Sequence, residues 1–364
     1  MKKIFPVFIF IFLLCKSAHT QAQVADTTDP NVKAIAIANA KIDSAEVRIK
    51  KKDTKGANKL YNEALKQYKL IIKANSNLYG AWYGLGRAQL KTNDYKEAVI
   101  SFDKALEADP TKGDAFRERG IAQEALGKFD AAVSDYNKAL EKNYDDAKAH
   151  YQLGLLKEKG KDFQGGMAEY AAAIEVNPNF KEPYLKRGIN HHDKDKDYVL
   201  ALIDFDKYVQ LAPDDNQGYL WRGKTKYNGG DFKGAEKDLS RFLDMEPENI
   251  EALIFRGANR INLKDYEGAV TDLDNVIKID PKNVIAYMNR GTAKGAQKKY
   301  RSALEDLDMA VKLKFDYSAV YINRALVRYV SGDKKGACKD LEKADGLNNE
   351  KAPSLIEQYC NSTK

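Results

Sequence analysis

From residue 79 onward the chain repeats a pattern of small, aromatic and polar positions. Small residues stand at Gly86, Gly120, Gly154, Gly188, Gly223, Gly257, Gly291 and Ala325, 34 residues apart at every step but one, which is 35. Twelve residues further on, or thirteen in the fourth unit, a second small residue follows: Ala98, Ala132, Gly166, Ala201, Ala235, Ala269, Ala303 and Ala337. Between the two stands an aromatic in seven units (Tyr95, Phe129, Phe163, Tyr198, Phe232, Tyr266, Tyr300), and Pro110, Pro178, Pro213, Pro247 and Pro281 close five. Apolar positions such as Ala98, Phe102 and Ala105 recur at helical spacing. A small residue on each of two successive helices lets their axes approach, and large residues fill the grooves around them. Proline ends the second helix, and Asn249 or Asn283 can cap the next. Each unit therefore predicts a helix–turn–helix hairpin that buries its faces only by stacking on its neighbours.

The string Ala81-Trp82-Tyr83-Gly84-Leu85-Gly86, then Asp94-Tyr95-Lys96-Glu97-Ala98 and Asp109-Pro110, resembles the tetratricopeptide repeat. Eight units fit it: 79–112, 113–146, 147–180, 181–215, 216–249, 250–283, 284–317 and 318–351. Residues 31–78 read as a degenerate N-terminal hairpin, since Glu63-Ala64-Leu65 and Tyr68 keep the second-helix pattern while the first helix lacks the glycine. Residues 352–364 read as a capping helix and tail, with Pro353 in the first turn. The resemblance implies an all-α fold, a right-handed superhelical solenoid of antiparallel helix hairpins whose concave groove binds peptides or partner proteins. In such arrays the first helices line the groove, and the candidate lining here is Tyr83, Arg117, Tyr151, Leu185, Leu220, Ile254, Met288 and Ile322. The Lys and Asn set with which chaperone-binding members grip a terminal carboxylate is not present. The apolar lining points instead to an apolar or amphipathic protein segment as ligand.

Immediately before the first small residue stand Arg119, Arg187, Arg222, Arg256, Arg290 and Arg324. Sixteen residues on, or seventeen across the insertion, stand Asp135, Asp204, Asp238, Asp272, Asp306 and Asp340. The pairing survives the one-residue slip, so it follows the fold. It predicts a structural ladder of ion pairs fixing the register, not an anion-binding row, because every Arg brings an Asp.

Hydrophobic residues make up 43% and charged residues 31%, the composition of a well-solvated globular chain. Lys2 and Lys3 precede an apolar run from Ile4 to Cys15, and a polar stretch ends at Thr20-Gln21-Ala22. This is the layout of a secretory signal peptide over residues 1–22, followed by a flexible linker over 23–30. It predicts an exported protein, periplasmic or associated with the cell envelope, with no transmembrane segment in the mature chain. Cys15 offers a lipoprotein alternative, disfavoured by Leu14 before it and Lys16 after it. Without the leader, 57 basic and 53 acidic residues remain, a net charge of +4 that by itself predicts no nucleic-acid or anionic-membrane partner. Cys338 and Cys360 survive processing, and export suggests a disulfide between them.

Two motifs invite a chemical reading. Residues 218–225 satisfy G-x-x-x-x-G-K-[ST], but Tyr219, Leu220, Trp221 and Arg222 fill what a phosphate loop keeps small, and the string lies inside a predicted helix. His191, Asp193, Asp195 and Asp197 alternate like a calcium loop, yet Tyr198 stands where the glycine belongs, and a solvated charged turn is the favoured reading. No catalytic motif occurs, which predicts no enzyme and no cofactor. The sequence reading is a non-enzymatic interaction scaffold of a bacterial cell envelope. An accessory subunit of an envelope secretion or assembly machine is the alternative, and a divalent-metal protein using the 191–197 turn is less favoured.

Overall fold

The computed structural model of the chain describes residues 29–314 and 316–360. The signal-peptide segment with Cys15, the linker up to residue 28 and the tail 361–364 lie outside the described residues. Among the described residues every regular element is helical. The chain divides into two compact units, one ending at Val176 and one beginning at Asn177. The first holds α1 (Pro30–Lys50), α2 (Thr54–Ala74), α3 (Tyr79–Lys91), α4 (Tyr95–Ala108), α5 (Gly113–Ala125), α6 (Phe129–Lys142), α7 (Ala147–Lys159) and α8 (Phe163–Val176). The second holds α9 (Lys181–Asn190), a π turn (His191–Asp195), α10 (Tyr198–Leu211), α11 (Asn216–Asn228), α12 (Phe232–Met245), α13 (Ile250–Asn262), α14 (Tyr266–Ile279), α15 (Val284–Ala296), α16 (Tyr300–Leu313), α17 (Ser318–Val330), α18 (Lys334–Asp345) and α19 (Ala352–Cys360). Within each unit the hairpins stack in chain order, each second helix packing on the next first helix. Successive first helices also touch, α3 with α5 and α11, α13, α15 and α17 in turn, so they form the inner side of each stack.

The local chemistry accounts for the helix ends. Asp231, Asp265 and Asp333 cap second helices by accepting from the backbone N–H of Gly234, Gly268 and Gly336 at 2.8–2.9 Å. Asn249 and Asn283 cap first helices through the N–H of Ala252 and Ala286 at 3.0 and 3.1 Å. The turn inside a hairpin uses one residue in the left-handed region, Gly127, Gly230 and Gly332 in three units but Asn93, Lys161, Lys264 and Lys298 in others. The extra residue of the fourth unit is absorbed in the π turn, closed by Lys196 at φ 56°. The charged string 191–197 is thus wound in register with its neighbours.

In the first four repeats glycine at the first small position is a steric requirement. A Cβ on Gly86, Gly120, Gly154 or Gly188 would lie 2.7–2.8 Å from the ring of Phe102, Tyr136, Tyr170 or Phe205 on the paired helix. In the next three units the facing side chain is Leu239, Leu273 or Leu307, and the eighth puts Ala325 beside Leu341. The last hairpin is closed by α19: Leu355, Ile356 and Tyr359 pack on the cluster of Tyr321, Ile322, Ala325 and Leu341. The sulfurs of Cys338 and Cys360 lie 2.08 Å apart, at bonding distance, and tie α19 to α18.

Candidate functional site

All six ladder arginines meet their aspartates as planar, two-point pairs. In each, Nε and Nη2 donate to the two carboxylate oxygens: 2.7 and 2.7 Å for Arg119–Asp135, 2.9 and 2.7 Å for Arg187–Asp204, and 2.8 and 2.7 Å for Arg222–Asp238. Arg256–Asp272 spans 2.9 and 2.7 Å, Arg290–Asp306 2.9 and 2.6 Å, and Arg324–Asp340 2.8 and 2.6 Å. The six aspartates are buried. Hydrogen bonding to the carboxylate is the largest influence on Arg119, Arg187 and Arg222, holding their guanidinium groups above the ordinary arginine range.

The spacing pattern reveals only part of this arrangement. The third guanidinium nitrogen reaches back to the preceding hairpin, where Arg119, Arg222, Arg290 and Arg324 find Asp103, Asp206, Asp274 and Asp308 at 2.6, 2.9, 2.5 and 2.7 Å, and Arg256 finds Ser240 Oγ at 3.2 Å. Each of these five arginines therefore fastens two hairpins. A second cation, four residues after the arginine, also reaches the buried carboxylate: Lys226 and Lys294 at 2.8 Å, Arg260 and Arg328 at 2.9 Å. Its sequence signal is a Lys or Arg one turn past the ladder arginine. Because Nε and Nη2 of every ladder arginine are already taken up by a buried carboxylate, the row is a fastening and not a set of free anion-binding groups.

The expected groove residues meet different fates. Tyr83 stacks on Tyr79 at 5.4 Å, and burial pushes its phenol up from the ordinary value. Arg117 is ion-paired with Asp146 and with Glu118 at 3.0 Å through its two terminal nitrogens. Tyr151 lies 5.9 Å from the Tyr170 ring, and Leu185 and Ile254 are half-buried. Leu220, Met288 and Ile322 are buried, at 5%, 8% and 8% exposure, because neighbouring helices cover them. These three are core residues, and aspartate at position 220 would test folding before binding.

The open apolar surface lies elsewhere on the first helices. Leu326 and Val330 of α17 are 36% and 61% exposed. With Thr292, Gly295, Ala296 and Val327 they line a cavity of about 330 Å³ between α15 and α17. Asn323 borders this cavity and also a second one of about 430 Å³ lined by Ala319, Ile322 and residues 348–351. The sequence reading missed Leu326 and Val330. They stand three and seven residues after Asn323 on the same helix, and only packing shows which side of that helix stays open.

The remaining motifs are absorbed by the fold. Residues 218–225 lie within α11, where Lys224 Nζ sits 3.7 Å from the Trp221 ring centroid and 2.6 Å from Glu251. Thr225 Oγ1 donates to the Trp221 carbonyl, so it can only accept from His192 Nδ1 at 2.8 Å, and His192 Nε2 then accepts from Asn228 Nδ2 at 3.2 Å. This network holds a neutral imidazole, and burial pushes its pKa down. His191 pairs with Asp195 at 3.0 Å, and Asp197 caps α10 through the N–H of Leu200. Among the described residues no group of three or more His, Cys, Asp or Glu side chains is placed to hold a metal ion.

Three segments match models of the tetratricopeptide repeat: residues 79–112 and 147–180 match tetratricopeptide-repeat models, and 124–160 a TPR-repeat model. No curated protein matches the chain in sequence. Among solved structures, PilF of Pseudomonas aeruginosa is 18% identical with a TM-score of 0.50, the match covering 57% of this chain and 94% of that one. YrrB, described as a TPR protein with an unusual peptide-binding site, is 22% identical over 52% of this chain and 96% of its own, with a TM-score of 0.48. TTC0263 of Thermus thermophilus, a TPR protein, is 17% identical over 50% and 97%, with a TM-score of 0.42. At these identities the likeness is one of fold alone.

Proposed function

We propose that this chain, a tetratricopeptide-repeat protein by the matches to its repeats, is a non-enzymatic interaction scaffold of a bacterial cell envelope. It takes an apolar or amphipathic segment of a partner protein on the first-helix face of its second unit. The carrying observation is the cavity of about 330 Å³ between α15 and α17, with Leu326 and Val330 exposed on its wall. An extended segment laid there places one apolar side chain in the cavity, and the Asn323 amide can both donate to and accept from its backbone. Side chains already ordered on rigid helices lower the entropic cost of docking. The envelope assignment rests on the leader-like N-terminus and on the cysteine pair.

Panning a random peptide library on the protein and measuring the captured peptides by calorimetry tests the reading. Leu326→Asp and Val330→Asp alter exposed positions and should weaken binding at least about tenfold. Val199→Asp, on the 72% exposed outer side of α10, should leave it unchanged. Peptides that bind all three variants equally well would remove the α15–α17 site.

A further inference from the structure

Charge is unevenly distributed along this molecule. Residues 29–78, the hairpin α1–α2 with its flanks, hold eleven Lys and Arg against five Asp and Glu, a formal +6, whereas residues 79–364 hold 46 against 47. Most of the chain's net charge of +7 thus comes from this one hairpin, while the much longer remainder is balanced. On α2, Lys55, Lys59, Lys66, Lys69 and Lys73 are spaced to fall on one side of the helix. All five are exposed, directly opposite the buried Tyr61, Ala64, Tyr68 and Ile71. At about 1.5 Å per residue the stripe is about 27 Å long. Neighbouring acids are engaged elsewhere: Glu63 with Lys41 at 2.5 Å, Asp53 with Arg48 at 2.7 Å and Glu46 with Lys91 at 2.8 Å. Leu70 stands among the last three lysines, 68% exposed.

We propose that this outer face of α2 docks on an anionic phospholipid surface, with the lysines against headgroup phosphates and Leu70 in the interfacial region. A basic helix face with an exposed apolar side chain is the form suited to such an interface. Nucleic acid fits the face less well. Its two tyrosines, Tyr61 and Tyr68, are buried, so no ring is offered for base stacking. The proposal uses residues of α2 and none of those lining the α15–α17 cavity, so either assignment can fail alone.

Vesicle co-sedimentation of the full chain tests the proposal, with every variant sharing the same N-terminus. Phosphatidylcholine vesicles measure whatever the leader contributes, and vesicles containing about 30% phosphatidylglycerol measure the added anionic term. The chain should bind the anionic vesicles at least about tenfold better at about 0.1 M salt and lose that preference at about 0.5 M. Lys59→Gln/Lys66→Gln/Lys69→Gln should abolish most of the preference, and Leu70→Ser should weaken it severalfold, with circular dichroism confirming folded protein. Should the triple variant not fold, the salt series and Leu70→Ser decide the matter on their own. The proposal is overturned by equal binding to both vesicles, by an anionic preference that the folded triple variant keeps, or by tight heparin or single-stranded DNA binding with no effect of Leu70→Ser on vesicles.

Discussion

The two units solve the same packing problem with different side chains. Three positions recur in every repeat: the residue before the small position, one four residues later, and one sixteen or seventeen residues later. In the first unit they read Leu85, Gln89 and Ser101, then Arg119, Gln123 and Asp135, then Leu153, Lys157 and Glu169. Ser101 donates to Gln89 at 2.6 Å in the first, and Lys157 reaches Glu169 at 2.7 Å in the third, where His150 also lies 2.7 Å away. The last four repeats of the second unit instead carry Arg, a second Arg or Lys, and Asp without exception. The side chain facing the small residue differs as well: a ring in the first four repeats, leucine in the last four. The hairpin therefore requires a filled space over the small residue, while the polar fastening beside it varies in kind. In the first unit that fastening is neutral, singly paired or built on a glutamate. In the last four repeats it is a carboxylate held by two cations.

The largest effect that would break this contrast is at the doubly held carboxylates. Asp272→Ala leaves Arg256 and Arg260 facing a buried gap and should cost about 3–5 kcal/mol, whereas Ser101→Ala removes one neutral hydrogen bond and should cost about 1 kcal/mol. Denaturant unfolding followed by hydrogen exchange in each unit measures both. The cycle of Arg256→Ala with Asp272→Ala should be strongly non-additive, and additivity would show that the pair contributes nothing as a pair.

Next comes the end of the second unit. Reducing Cys338–Cys360, 22 residues apart, should release α19 and cost about 3 kcal/mol by loop closure. Faster exchange should be confined to α18 and α19, and the first unit, whose described residues contain no cysteine, should not respond.

Glycine substitution sharpens the comparison of ring with leucine. Gly86→Ala drives a Cβ to 2.7 Å from the Phe102 ring and should cost about 1–3 kcal/mol. Gly257→Ala meets the branched end of Leu273, with Cγ at 3.0 Å and the methyls at 3.2 and 3.4 Å, and should cost less, about 1 kcal/mol, since Ala325 already stands in the eighth repeat. Equal melting shifts for the two variants would show that the facing side chain does not set the tolerance.

The smallest effect is that of pH on the π turn. His192 is held neutral with its pKa lowered by burial, so below its unfolded value near 6.5 the unfolded chain binds the proton more readily than the folded one. Stability of the second unit should fall as pH drops from about 7 through that value, and His192→Asn should flatten the slope. The groups facing the ring are Asp193, Lys196 and Lys224. Glu169 of the first unit has its pKa lowered against a burial effect by His150 and Lys157, so its contribution is lost only at more acid pH, below about 4.5.

Much of this molecule was legible in its sequence. The 34-residue period, the small residues and the closing prolines placed the hairpins, because helix periodicity and breaking are local properties of the chain. The six Arg–Asp pairs were legible because both partners lie within one hairpin, sixteen residues apart except across the one-residue insertion. Only the tertiary structure decided the rest. The third arginine contact and the burial of Leu220, Met288 and Ile322 depend on the adjacent hairpin, which single-unit spacing does not describe. Leu326, Val330 and the α2 lysines could be counted in the sequence, but their exposure is set by which neighbours cover each helix, a long-range outcome of stacking.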